Sequence, residues 1–270
     1  MINPATRAPA VAGMFYPGSA AVLMDEVQQF MANAKAGVAG IPKALIVPHA
    51  GYVYSGPVAA SAYACLAAAR GSIKRVVLLG PTHRVAIRGL ALPATGAFDM
   101  PLGRVTLDAE LEQMVLKLPQ VQQSAAVHAQ EHSLEVQLPF LQMILDDFTL
   151  LPLAVGMASA EEVAEVLDCV WGGRETLIVI SSDLSHYHPY AQAQQLDQET
   201  ARQIVALQPL ADHQQACGAT PINGLLLCAR HRGMQAQLLD LRNSGDTAGD
   251  RSRVVGYGAF AFQESPAYEQ

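Results

Sequence analysis

The stretch Leu177-Ile-Val-Ile-Ser-Ser-Asp183-Leu-Ser-His186 decides how the rest of the chain is read. A short apolar run rich in β-branched residues, with no polar alternation, is the pattern of a strand covered on both faces. The run then gives way to serines, a carboxylate and an imidazole. The same change occurs in Ala44-Leu-Ile-Val-Pro-His49 and in Val76-Val-Leu-Leu-Gly-Pro-Thr-His83. In open α/β sheets, ligands bind beyond the carboxyl ends of the strands. Three strands that end in this way predict a polar site built from His49, His83, Asp183 and His186. Two histidines and a third donor would hold a metal ion and leave positions open for a substrate.

Working outward, further strands are expected at Thr149–Ala154, Leu90–Leu92, Ala236–Leu239 and Val254–Phe262. Helices are expected at Pro57–Ala69, Ala109–Leu116, Glu131–Ile144, Ala160–Val170, Ala191–Ala206 and Pro221–Arg230. Asp108 and Ser159 suit helix N-caps, and Gly71 and Gly233 suit helix ends. The alternation argues for a single α/β domain over residues 1–270, with a central, mostly parallel or mixed sheet flanked by helices.

Composition narrows the function. Of 270 residues, 51% are hydrophobic, enough for a substantial core without disulfide staples. The net charge of −7 and the lack of a basic cluster argue against nucleic acid and against a polybasic membrane anchor. No charged residue lies between Ala44 and Ala69, but Pro48, Gly51, Gly56 and Pro57 break that run. A spanning helix needs roughly 20 mostly apolar residues. The Met1 end shows no basic-then-apolar leader. Cys65, Cys169, Cys217 and Cys228 have no CxxC spacing. A reducing, cytoplasmic setting is therefore expected.

Two other clusters carry chemistry. In Glu131-His-Ser-Leu-Glu135, His132 and Glu135 would share a helix face as proton donor and acceptor, or would orient a metal ligand. Glu131 and Glu135 also fit a plain helix-dipole role. Cys217 precedes the helix expected from Pro221, between residues that shape a turn. Of the four cysteines it is the one expected to be redox-sensitive, through a metal or imidazole that favours its thiolate. Finally, His128-Ala-Gln-Glu-His132 matches the H-x-x-E-H metallopeptidase pattern, in which both histidines bind zinc from one helix.

Six motifs occur in order: Arg7-Ala-Pro-Ala-Val-Ala-Gly-Met-Phe-Tyr-Pro17, Pro48-His-Ala-Gly-Tyr52 with Tyr54-Ser-Gly56, Gly80-Pro-Thr-His83, Glu131-His-Ser-Leu-Glu135, Ser181-Ser-Asp-Leu-Ser-His186 and Cys217-Gly-Ala-Thr-Pro-Ile222. From Arg7 to Phe262 the chain resembles the Memo family, in particular the bacterial and archaeal members called AmmeMemoRadiSam system protein B. The resemblance implies a fold like that of class III extradiol dioxygenases. It also implies a mononuclear site for iron or copper, or for zinc, at His49, His83 and Cys217, lined by His132, Asp183 and His186. A radical-SAM protein is the partner that the family label suggests, and no substrate comes with the family. Those dioxygenases hold Fe(II) with two histidines and a carboxylate, whereas here the matching third donor is a thiol. Ring cleavage is therefore not inherited from the fold. Three readings stay open: a metal-dependent redox enzyme with His132, Asp183 and His186 as acid–base groups; a metal-binding or partner-docking protein without turnover; and a hydrolase, with Cys217 as nucleophile or with a bound metal.

Overall fold

The computed structural model describes residues 6–34, 37 and 40–264. The Met1 end, read above for a leader, lies outside them. In chain order the strands are β1 (Thr6–Arg7), β2 (Ala44–Val47), β3 (Arg75–Pro81), β4 (Leu90–Leu92), β5 (Ala97–Met100), β6 (Gly103–Thr106), β7 (Val121–Gln123), β8 (Thr149–Val155), β9 (Thr176–Ser181), β10 (His186–His188), β11 (Gln235–Asn243) and β12 (Val254–Gln263). The helices are α1 (Ala20–Asn33), α2 (Tyr52–Tyr63), α3 (Ala109–Val115), α4 (Ala125–Ala129), α5 (Leu138–Ile144), α6 (Ala160–Cys169), α7 (Tyr190–Val205), α8 (Ala219–His231) and the single turn α9 (Ser244–Thr247).

The large sheet runs β10-β12-β2-β9-β3-β8-β4-β7, with β11 also paired to β12. Its centre, β2-β9-β3-β8, is parallel, while β12 joins β2 antiparallel and β4 joins β8 antiparallel. The sheet is therefore mixed. A small second sheet, β1-β5-β6, lies apart from it.

Both faces of the central strands are covered, which explains why their sequences do not alternate with polar residues. Leu45, Val47, Val76, Leu78, Leu177 and Val179 pack with α1, α2 and α5 on one face. Ala44, Ile46, Val77, Leu79, Ile178 and Ile180 pack with α3, α6, α7 and α8 on the other. All twelve of these side chains are essentially inaccessible. At roughly 1.5–3 kcal/mol per fully buried aliphatic side chain, this double layer dominates the stability.

Several local expectations hold. The side chains of Asp108 and Ser159 accept from the backbone N–H groups of Leu111 and Glu162. Gly233 takes a left-handed φ of 60°. Others change. The helix expected from Pro57 begins at Tyr52, with Pro57 inside it. The Ala64–Ala69 stretch continues as a 3-10 helix. Helix α1, with Leu23 and Val27 buried, was not anticipated. The continuous helix expected over Glu131–Ile144 does not form. Residues 130–134 are irregular, Glu135–Gln137 is a 3-10 turn, and α5 starts at Leu138 with Pro139 in its first turn. Proline fits that position because the first helical N–H groups have no partner within the helix.

Candidate functional site

The register of the sheet brings the site together. In adjacent parallel strands Val47 lies beside Ser181, and Leu79 beside Ile180. The chain leaving each strand therefore delivers His49, Asp183 and His83 to one edge. The segment before α5 folds over that edge and adds Glu131, His132 and Ser133. It can approach closely because residue 80 is glycine. A Cβ there would sit 2.8 Å from the Ser133 hydroxyl oxygen. Cys217 arrives from the turn before α8, where Gly218 permits similar contact with Ser182.

Three imidazoles meet here. Ring centroids lie 5.2 Å apart for His49 and His83, 5.5 Å for His49 and His132, and 4.6 Å for His83 and His132. One ligand atom from each lies within 4.8 Å of the other two. The Cys217 Sγ lies 3.3 Å from His49 Nε2. The backbone N–H of His49 donates to Asp183 Oδ1 at 2.7 Å, and the other Asp183 oxygen is 4.0 Å from His49 Nε2.

Glu131 is the organiser that the sequence reading left undecided. Its carboxylate accepts from the backbone N–H of His83 at 2.6 Å and from those of His132 and Ser133 at 2.9 Å. It also lies 2.9 Å from His83 Nδ1. A carboxylate only accepts, so His83 carries its proton on Nδ1 and turns the Nε2 lone pair toward the cluster. Burial works against the Glu131 charge, yet the His83 and backbone hydrogen bonds hold its pKa down at about 2.

The other charges follow from burial and crowding. Burial first, and the neighbouring His83 second, lower the pKa of His49 to about 3. The same causes, with His49 as the neighbour, lower that of His132 to about 4. Both rings are neutral at physiological pH and have lone pairs to offer a metal. Burial raises the Asp183 carboxyl above its ordinary value, against the pull of the His49 N–H. Burial and then Asp183 push the Cys217 thiol up to about 12. The expectation that an adjacent imidazole would favour the thiolate therefore fails for the metal-free protein. His49 is uncharged, and the nearby Asp183 carboxyl raises the thiol pKa rather than lowering it.

The remaining sequence candidates occupy distinct places. His186 stands back from the cluster, lining an outer groove with His188. Tyr187 between them takes a left-handed φ of 62°, strain of order ~1–3 kcal/mol for a non-glycine residue. That space, about 610 Å³, shares His83 and Cys217 with a second groove of about 860 Å³ that runs past Arg84, Met157 and His213. Glu135 is no acid–base partner of His132. It is fully buried and accepts from Arg7, from the backbone N–H groups of Ala10 and Val11, and from the Tyr16 hydroxyl. Arg7 also donates to the carbonyls of His128 and Glu131. The amino-terminal motif thus clamps the Glu131 segment in place. His128 points away, its Nε2 bonded to the Ala91 carbonyl, and α4 ends before His132. The metallopeptidase arrangement, two histidines on one helix, is absent here.

Imidazoles converging at the carboxyl edge of a mixed, helix-flanked sheet define an α/β protein with a histidine-rich candidate metal site. The Memo-like protein family profile matches residues 7–261. A MEMO1 family protein of Methanopyrus kandleri is 34% identical over 281 residues, covering 95% of this chain and 99% of the relative. Another from Methanosarcina barkeri is 37% identical over 271 residues, covering 94% and 98%. A third from Aquifex aeolicus is 36% identical over 266 residues, covering 93% and 97%. The chain belongs to the Memo-like family, and its fold is the dioxygenase-like arrangement that the sequence resemblance implied. No helix among the described residues is long and apolar enough to cross a membrane.

Proposed function

We propose that this protein binds one transition-metal ion, iron or copper, through His49, His83 and Cys217, and performs redox chemistry on a small molecule in the adjoining grooves. The donor chemistry supports the reading. Two imidazoles that turn their Nε2 atoms toward the cluster and a thiol suit iron, copper or zinc far better than magnesium or calcium. The observation that carries the choice of third ligand is the 3.3 Å between Cys217 Sγ and His49 Nε2. Two donors about 2.1–2.3 Å from one ion lie no more than about 4.4 Å apart. The sulfur and the His49 nitrogen already meet that limit.

When bound, the ion would supply redox chemistry or Lewis acidity at the groove. The chain's own residues do the rest. Cys217 would hold the ion as a thiolate, giving up its thiol proton and adding one protein negative charge to the site. His132 and Asp183 face the cluster as its acid–base groups, and His186 lines the adjoining groove as a third. A second reading, with His132 as third ligand and Cys217 spectating, is favoured by the mutual closeness of the three imidazoles. A reducing compartment suits this chemistry, and none of the four cysteines is joined to another in a disulfide.

Anaerobic purification followed by elemental analysis tests the site. One equivalent of metal is expected, and His49→Ala should lose it while the fold survives. Undiminished binding by that variant would move the site elsewhere. Oxygen-dependent turnover of a dihydroxy-aromatic compound would support the redox enzyme over a metal-binding protein without turnover. Failure to co-purify a radical-SAM protein from the native host would count against that partner.

A further inference from the structure

We infer that Tyr63, Gln137 and Ser181 form a buried hydrogen-bond chain that fixes the tautomer of His49, making them positioning residues for the site. The argument is an accounting of donors and acceptors. The chain is anchored by two backbone carbonyls, which can only accept. The Gln137 side-chain nitrogen lies 2.9 Å from the Pro48 carbonyl and 2.8 Å from Ser181 Oγ. Its partner at the carbonyl must be a donor, so the NH₂ end of the amide faces Pro48 and Ser181. The Tyr63 hydroxyl, which can donate or accept, then donates to Gln137 Oε1 at 2.9 Å and completes the amide's bonding.

One Gln137 N–H therefore points at Ser181, and Ser181 Oγ accepts it. The Ser181 hydroxyl has a single proton, which goes to the Ser133 carbonyl at 2.6 Å. What remains on Ser181 is a lone pair. His49 Nδ1 lies 2.9 Å from that oxygen. Two lone pairs cannot bond, so His49 Nδ1 carries the proton and Nε2 is left bare. The bare nitrogen is the one facing Cys217. All four side chains are at most 2% exposed, so water cannot exchange into the chain and reverse it.

The consequence for metal binding rests on the site proposed above, but the tautomer does not. Nitrogen-15 NMR of metal-free protein labelled at histidine reads it directly, with His49→Gln identifying the signals. The expected result is a protonated Nδ1 and an unprotonated Nε2 for His49 in the unmodified protein. A proton on Nε2 would overturn the inference with no further variant needed. Ser181→Ala should shift His49 toward the other tautomer and weaken iron(II) or zinc(II) binding by about 10–100-fold. Ser181→Thr, which keeps the hydroxyl, should restore both. Ser181→Ala with an unchanged His49 tautomer would also overturn the assignment. If the unmodified protein shows the expected tautomer yet takes up no metal, the chain stands and the metal reading falls.

Discussion

The two strand-end histidines are held in the same tautomer by opposite means. His83, whose side chain is 28% exposed, is oriented by a carboxylate, Glu131. His49, 2% exposed, is oriented by a neutral hydroxyl backed by an amide and a phenol. The difference follows from desolvation. A full charge costs several kcal/mol to bury, and that of Glu131, itself only 1% exposed, is tolerated because three backbone N–H groups and His83 Nδ1 donate to it. The side chain of His49 is oriented instead by neutral partners that are fully bonded to one another, which are inexpensive to bury. The two halves should therefore answer differently to mutation and to acid.

The largest effect is expected from Glu131→Ala. It removes the acceptor of three backbone N–H groups and of His83 Nδ1. Buried donors left unpaired cost about 1–3 kcal/mol each, so denaturant unfolding should show a loss of several kcal/mol together with loss of metal. A loss under 1 kcal/mol would mean that the segment does not depend on its carboxylate.

Acid titration of the metal-free protein separates the halves. His49, His128 and His132 have folded pKa values of about 3, 4 and 4, below the ordinary 6.5. Between these limits the unfolded chain binds more protons, so stability falls as the pH drops from 6.5. The slope approaches about 1.4 kcal/mol per pH unit for each histidine. Glu131 acts later. With a folded pKa of about 2 against an ordinary 4.5, its contribution is intact above 4.5 and is lost as the pH falls through 2. Stability measured between pH 7 and 4 should decline already above 4.5. A flat profile there would contradict neutral burial of the histidines.

Metal affinity should change in the same direction. Above pH 5 the imidazoles of His49 and His132 are already neutral, whereas the Cys217 thiol, pushed up to about 12, keeps its proton until metal displaces it. One proton released per ion means about a tenfold gain in affinity per pH unit between 6 and 8. No pH dependence would indicate that the thiol stays protonated and unligated. The smallest effect is expected from Tyr63→Phe. It cuts only the far end of the His49 chain, where the Pro48 carbonyl still orients the amide. It should cost about 1 kcal/mol and leave metal affinity within a few-fold.

Much of this site was legible in the sequence because its strands announce their own ends. An apolar run that stops at Ser181-Ser-Asp183, or at Pro48-His49, marks both a buried strand and the polar edge beyond it. The sheet, both strand-end histidines and the placement of Asp183 follow from that. What could not be read was anything made by contact across the chain. Glu131 is 48 positions from His83, and Gln137 is 44 from Ser181. Neither pairing leaves a periodic trace. The helix expected from Glu131 gives way to irregular backbone in which the N–H groups of His132 and Ser133 bond to the Glu131 side chain, itself held by His83 from 48 positions away. Pro139, in the first turn, marks the true start of α5. Helix α1 was legible in principle, since Leu23, Val27 and Phe30 recur at helical spacing. Only the imidazole route of the Cys217 expectation fails, and only for the metal-free protein, because a neutral imidazole beside a buried carboxyl does not favour a thiolate.

The central claim is that Cys217 completes the site with His49 and His83. X-ray absorption at the metal edge of anaerobically loaded protein tests it most directly. The account predicts one sulfur at about 2.3 Å together with imidazole nitrogens near 2.0–2.1 Å, the sulfur lost in Cys217→Ser. A shell of nitrogen and oxygen alone in the unmodified protein would contradict it and would make His132 the third ligand.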